Sequence, residues 1–150
     1  VLAKRGRALI LDIGWRVHRH CGDGGFKVCG MDLVNLDTKF ALFHDHWRPK
    51  VIGALNGQEV KLVKVQGVFP WHTHATEDEM FLVWNGVFRV QFRDRTVELA
   101  RGEMIVAPHG VEHRTAADEE AEVLIFEPAE VRNTGDVVGA EFTAPQGVRV

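Results

Sequence analysis

The chain reads as an all-β protein, a sandwich or barrel of short strands with one short helical segment near its start. Two observations predict this. Short runs alternate apolar and polar side chains, as a strand with one buried face requires. Turn-forming sequences such as Asn56-Gly57, Asp94, Arg101-Gly102 and Pro108-His109-Gly110 separate those runs at close intervals, a pattern that leaves no Rossmann alternative.

With 150 residues, 45% hydrophobic and 26% charged, the chain is large enough for one domain with a real hydrophobic core. No apolar run approaches the length of a membrane span, so no membrane partner is expected. The formal net charge of −3 gives no basic face for nucleic acid. Two cysteines make no disulfide framework.

Residues 1–30 hold six of the 18 Lys and Arg residues and two of the 21 acidic ones, which sets them apart as a basic leader, with a non-native or disordered segment and a genuine arm both open as readings. Residues 8–13 are too short for a signal-peptide core and are interrupted by Asp12, so a cytoplasmic protein is expected. His18, His20, Cys21 and Cys29 lie here too, at spacings too irregular for a metal site. Residues 31–128 read as the domain and 129–150 as a tail.

Within the domain, Asp37 is expected to cap a helical segment reaching His44, because Phe40 and Phe43 lie three apart on one apolar face. Residues 50–55 and 59–65 form two strands around the Asn56-Gly57 hairpin signal. His44 and His46 form a His-x-His pair with no glutamate after it, and read as surface residues. Phe88, Val90 and Phe92 alternate with Arg89, Gln91 and Arg93 on the next clear strand. Residues 96–99 return, and residues 104–107 follow. Asp118-Glu119-Glu120 reads as a charged turn, and residues 122–127 as a further strand closed by Pro128. The tail is expected to be loop with at most an edge strand.

Residues 67–86 carry the chemistry. His72 and His74 are one residue apart, so on an extended strand both imidazoles point to one side. Glu79 opens an apolar run that reads as the returning strand of a hairpin, placing a carboxylate opposite them. Imidazole and carboxylate suit divalent first-row metals, and the lack of nearby cysteine argues against a structural zinc site. Downstream, Pro108-His109-Gly110 leads to His113.

These two segments resemble the paired motifs of the cupin superfamily. Gly67, His72, His74, Glu79 and Gly86 match the first, and Gly102, Pro108, Gly110 and His113 the second. The Gly67–His72 gap is one residue short of the commonest form, and Ala117 stands where an asparagine is frequent, but every ligand position is kept. The resemblance is strongest over residues 67–117 and points to small single-domain cupins described as mannose-6-phosphate isomerase-like. It implies a jelly-roll barrel, one divalent metal per chain (Mn, Fe, Zn or Ni) held by His72, His74, Glu79 and His113, a small-molecule ligand and a homodimer. Trp71, Phe81, Val83 and Phe126 are the candidate pocket walls, although ordinary core packing accounts for each equally well.

Four protein ligands leave positions on a six-coordinate metal for water, dioxygen or a chelating substrate. Three functions stay open: a metalloenzyme acting on a carbohydrate or other oxygenated small molecule, isomerase-like, which the resemblance implies; an iron-dependent dioxygenase, favoured if the metal is iron; or a non-catalytic ligand-binding or sensor module. A phosphosugar needs an anion clamp, and none is legible. Arg114 is turned away by strand alternation, and Lys61 and Lys64 read as solvated. No Ser-His-Asp or Cys-His constellation supplies another nucleophile, the chain has no tyrosine, and His109 reads as a turn residue.

Overall fold

The computed structural model describes residues 33–137, 139 and 141–150. The basic leader, with His18, His20, Cys21 and Cys29, lies outside the described residues. A five-residue helix, α1 (Leu36–Phe40), comes first. Its N-cap is Asn35, whose Oδ1 accepts from the Thr38 amide at 2.9 Å. Asp37 was the expected cap; it sits instead in the first turn and accepts a 2.8 Å hydrogen bond from the Trp84 indole. The helix also stops four residues short of His44. Phe40 and Phe43 nevertheless share one apolar cluster with Ile52 and Leu62.

Seven strands follow in one sheet that curls into a jelly-roll barrel. β1 (Lys50–Leu55) turns through Asn56 and Gly57, both at positive φ, into β2 (Gln58–Val68). β3 (Glu79–Asn85) turns at Gly86 into β4 (Val87–Phe92), and β5 (Thr96–Ala100), β6 (Met104–Ala107) and β7 (His113–Pro128) complete the set. Gly86 is required there: at φ +83° an added Cβ would stand 3.0 Å from the Ala121 backbone.

The sheet is organised by β7, which pairs antiparallel with β2, β3 and β4. β1 adds to β2, β6 to β3 and β5 to β4. Asp118, Glu119 and Glu120 do not form the expected turn: β7 runs through them, with a register irregularity between Val65 and Gly67 on the facing strand. Their side chains stay outside, where Asp118 pairs with Arg89 and Glu120 with His46 and Lys64. Inside, Val63, Val65, Phe81, Val83, Phe88, Val90, Val123 and Ile125 belong to the barrel core. The tail is loop, attached by an isolated bridge between Val51 and Arg149. Among the described residues no helix is long and apolar enough to cross a membrane.

Candidate metal centre

The expected hairpin between residues 67–74 and β3 does not form. β2 ends at Val68, Pro70 removes a ladder donor, and β3 finds its partners in β6 and β7. The two motif segments instead meet each other. His72 and His113 exchange both backbone hydrogen bonds, each 3.0 Å, in an isolated antiparallel bridge. The carbonyl of His74 accepts from the Gly110 amide at 2.7 Å, and Asp78 accepts from the His109 amide at 2.8 Å. The Pro108–Gly110 turn is thus tied to the loop that leads to β3. His109 itself is exposed, its ring bonded to Asp78.

His72, His74, Glu79 and His113 are all buried, and each offers one ligand atom within 4.8 Å of the others. The same local device orients two of the imidazoles. Nδ1 of His72 donates to the Pro70 carbonyl and Nδ1 of His113 to the Val111 carbonyl, each at 3.0 Å and two residues back. That leaves Nε2 of each ring as the lone-pair nitrogen. Glu79 Oε2 stands 3.4 Å from His74 Nε2 and 3.5 Å from His113 Nε2.

Buried polar groups are ordinarily paired, yet His74 Nε2, Glu79 Oε2 and His113 Nε2 have no hydrogen-bond partner. Each such orphan costs roughly 1–3 kcal/mol, and all three converge on one point. Neutral imidazole nitrogens and a carboxylate oxygen are a donor set that a divalent metal fits.

The electrostatics of His72 and Glu79 agree with that donor set, whereas His74 must give up a proton to ligate. Burial, reinforced by the neighbouring His113, lowers His72 to about 4, which keeps it neutral. Burial alone would raise the Glu79 carboxyl, but His113 and His74 beside it hold it well below the usual carboxylate range. Burial likewise opposes protonation of His74, and the Glu79 carboxylate outweighs it, raising its pKa.

A cavity of about 30 Å³ adjoins the centre, with His72, Glu79, Trp47, Phe69, Phe81 and Ile125 among its walls. Of the expected wall residues only Phe81 lies on it. Val83 is fully buried in the core behind. Phe126 does not line the cavity, because alternation on β7 turns Ile125 and Glu127 inward and Phe126 outward. Trp71 is half-buried between Arg93 and Arg114, whose guanidinium carbons lie 3.9 and 4.9 Å from its ring. One residue from His72, Trp71 is turned to the other side of the segment.

Lys61 and Lys64 are not solvated. Both are buried, and Lys61 Nζ lies 2.9 Å from Glu127 Oε1 and 3.3 Å from Glu59 Oε2, all three side chains enclosed. Lys64 reaches Glu120 and Glu122. Neither lysine lines the cavities that border His72, Glu79 and His74; Arg132 lines the one beside His74, among Glu77, Glu130 and Asp136. Trp47, Phe69 and Asn133 were not foreseen as wall residues. Trp47-Arg48-Pro49 and Asn133-Thr134-Gly135 carry turn signals, not a period that would place them inward.

Residues 59–127 match the sequence family described as cupin domain. A cupin-2 domain containing protein from Shewanella frigidimarina is 48% identical, with a TM-score of 0.63, over 64% of this chain and 94% of its own. The chain is a cupin. A protein of Neisseria meningitidis is 29% identical to it at a TM-score of 0.60, covering 65% of this cupin and 100% of its own chain. The uncharacterized protein YdbB of Bacillus subtilis is 34% identical over 65 residues, which are 43% of this chain and 58% of that relative's length. The buried His72, His74, Glu79 and His113 group of this cupin could hold a metal ion.

Proposed function

We propose that this cupin binds one divalent metal through His72, His74, Glu79 and His113 and acts as a small metalloenzyme on a carbohydrate or other oxygenated small molecule, isomerase-like in its chemistry. The convergence of three buried, unpartnered ligand atoms carries this reading. A bound divalent metal supplies a Lewis acid that polarises a carbonyl or stabilises an ionised oxygen. The chain's own residues do the rest. The Pro70 and Val111 carbonyls fix the tautomers of His72 and His113, and Trp47, Phe69 and Phe81 give the small adjoining cavity aromatic walls. A larger cavity of about 310 Å³ borders His74 on the tail side, and its walls carry Glu77, Glu130 and Asp136 against the one cation Arg132, so an uncharged substrate suits it better than a phosphosugar.

One observation favours a second reading. A largely apolar cavity of about 30 Å³ admits a water or a diatomic molecule and no more, as an iron-dependent dioxygenase would require beside its metal. Elemental analysis of protein prepared without chelators, followed by assays of sugar-isomer conversion and oxygen uptake, separates the two. About one metal per wild-type chain and none in His74→Ala is the expected result. Full metal retention in that variant refutes the ligand assignment, and a metal-loaded protein inert across both assays leaves a ligand-binding module.

A further inference from the structure

The dipeptide step between His72 and His74 has an unusual support. Residues 73–78 belong to no strand, so Thr73 has no sheet partner for its backbone. Both of its polar groups go to the tail. The Thr73 amide donates to Asp136 Oδ1 at 3.2 Å, and the Asp136 amide donates to the Thr73 carbonyl at 3.1 Å. Asp136 therefore stands in for the missing ladder. The approach is so close that a Cβ on Gly135 would lie 2.1 Å from the Thr73 carbonyl oxygen and 3.4 Å from the His72 ring, at a φ of +53°.

The tail segment making this contact is itself anchored. Asn133 donates to the Trp47 carbonyl at 3.1 Å and the Phe142 carbonyl at 2.9 Å, and accepts from the Ala144 amide at 2.9 Å. Thr134 is fully buried, and its hydroxyl reaches the Val137 carbonyl. Phe142 packs on Trp47 and Phe69, two walls of the cavity. These residues lie beyond 127, where the family match ends.

We propose that residues 133–136 clamp the His72-Thr73-His74 step and set the angle between its two imidazoles, with Asp136 as the positioning residue. The proposal rests on the metal reading above. Outer partners that orient metal ligands typically change affinity by about 10–100-fold when removed. Asp136→Ala should therefore weaken Co²⁺ binding about tenfold in chelator competition and alter the visible spectrum of the Co²⁺-loaded protein. Because Asp136 is exposed, the melting temperature of the metal-free protein should stay put.

Asp136→Asn keeps an Oδ1 acceptor and should restore both affinity and spectrum. Gly135→Ala, which drives the segments apart, should weaken binding further. Hydrogen exchange of the peptide containing residues 72–74 should speed up in metal-free Asp136→Ala. Wild-type affinity and an unchanged spectrum in Asp136→Ala overturn the clamp, as does a fall in melting temperature that Asp136→Asn fails to recover. A wild-type protein that binds no Co²⁺ refutes the metal reading instead. The exchange experiment then decides the clamp alone, and unchanged rates refute it.

Discussion

Lys61→Met should destabilise the barrel strongly, and more at high pH than at low. Its ammonium lies 2.9 Å from Glu127 and 3.3 Å from Glu59, with all three side chains buried. At an effective dielectric of about 20, each contact is worth roughly 5 kcal/mol of Coulomb attraction before desolvation is counted. Removing one partner of a buried ion cluster costs about 3–5 kcal/mol, because the remaining charge is left uncompensated. Glu127 softens that loss: burial and the nearby Glu79 charge raise its pKa, with Lys61 opposing them. The native state thus holds a proton on Glu127 that the unfolded chain has released, so stability falls as pH rises from the unfolded carboxyl pKa toward the raised one. Without Lys61 the native pKa rises further and the fall in stability continues to higher pH. Urea unfolding of metal-free protein, followed by tryptophan fluorescence, should show a loss of about 3–5 kcal/mol at pH 8.5 and a smaller one at pH 6. A loss below about 1 kcal/mol, within the range of a surface ion pair, or a deficit independent of pH, would refute the buried-cluster reasoning.

Metal loading should weaken as pH falls through the raised pKa of His74, since an imidazole must be neutral to ligate; equilibrium dialysis from pH 8 to pH 5.5 measures it, and pH-independent loading would count against His74. A homodimer is expected, because β6 lies at one end of the sheet path with Met104 and Val106 exposed, and a monomeric mass by light scattering argues against it. Residues 31–150 alone should fold and load metal as the full chain does, measured by circular dichroism and elemental analysis; loss of either makes residues 1–30 part of the domain.

What the sequence made legible is local. His72, His74, Glu79 and His113 could be grouped because their spacing is a motif, and the Asn56-Gly57 turn because positive φ at both positions demands those residues. Long-range choices were hidden. β3 pairs with β6 and β7 and not with the segment just before it, since Pro70 and the loop to Glu79 free that segment to bridge to His113. Glu59 and Lys61 alternate with Val60 and Leu62 as solvated residues would, yet they face inward, because Glu127 on β7 completes the cluster across the strands. Asp118-Glu119-Glu120 looked like a turn by charge alone; on the outer face of a long strand, charge is no obstacle to pairing.

The centre is held together mainly by backbone. His72 and His113 bond to each other, His74 to Gly110, Asp78 to His109 and Thr73 to Asp136, so four chain segments are locked before any ligand atom engages a metal. Metal binding at such a centre would differ from that of a zinc finger, whose fold exists only with its metal. The proposed metal would add stability to the barrel by mass action. The rigidity of the bonded loops, and not the four side chains alone, then decides how well the empty donor set matches an ion, which is why a single exposed residue such as Asp136 can matter to it.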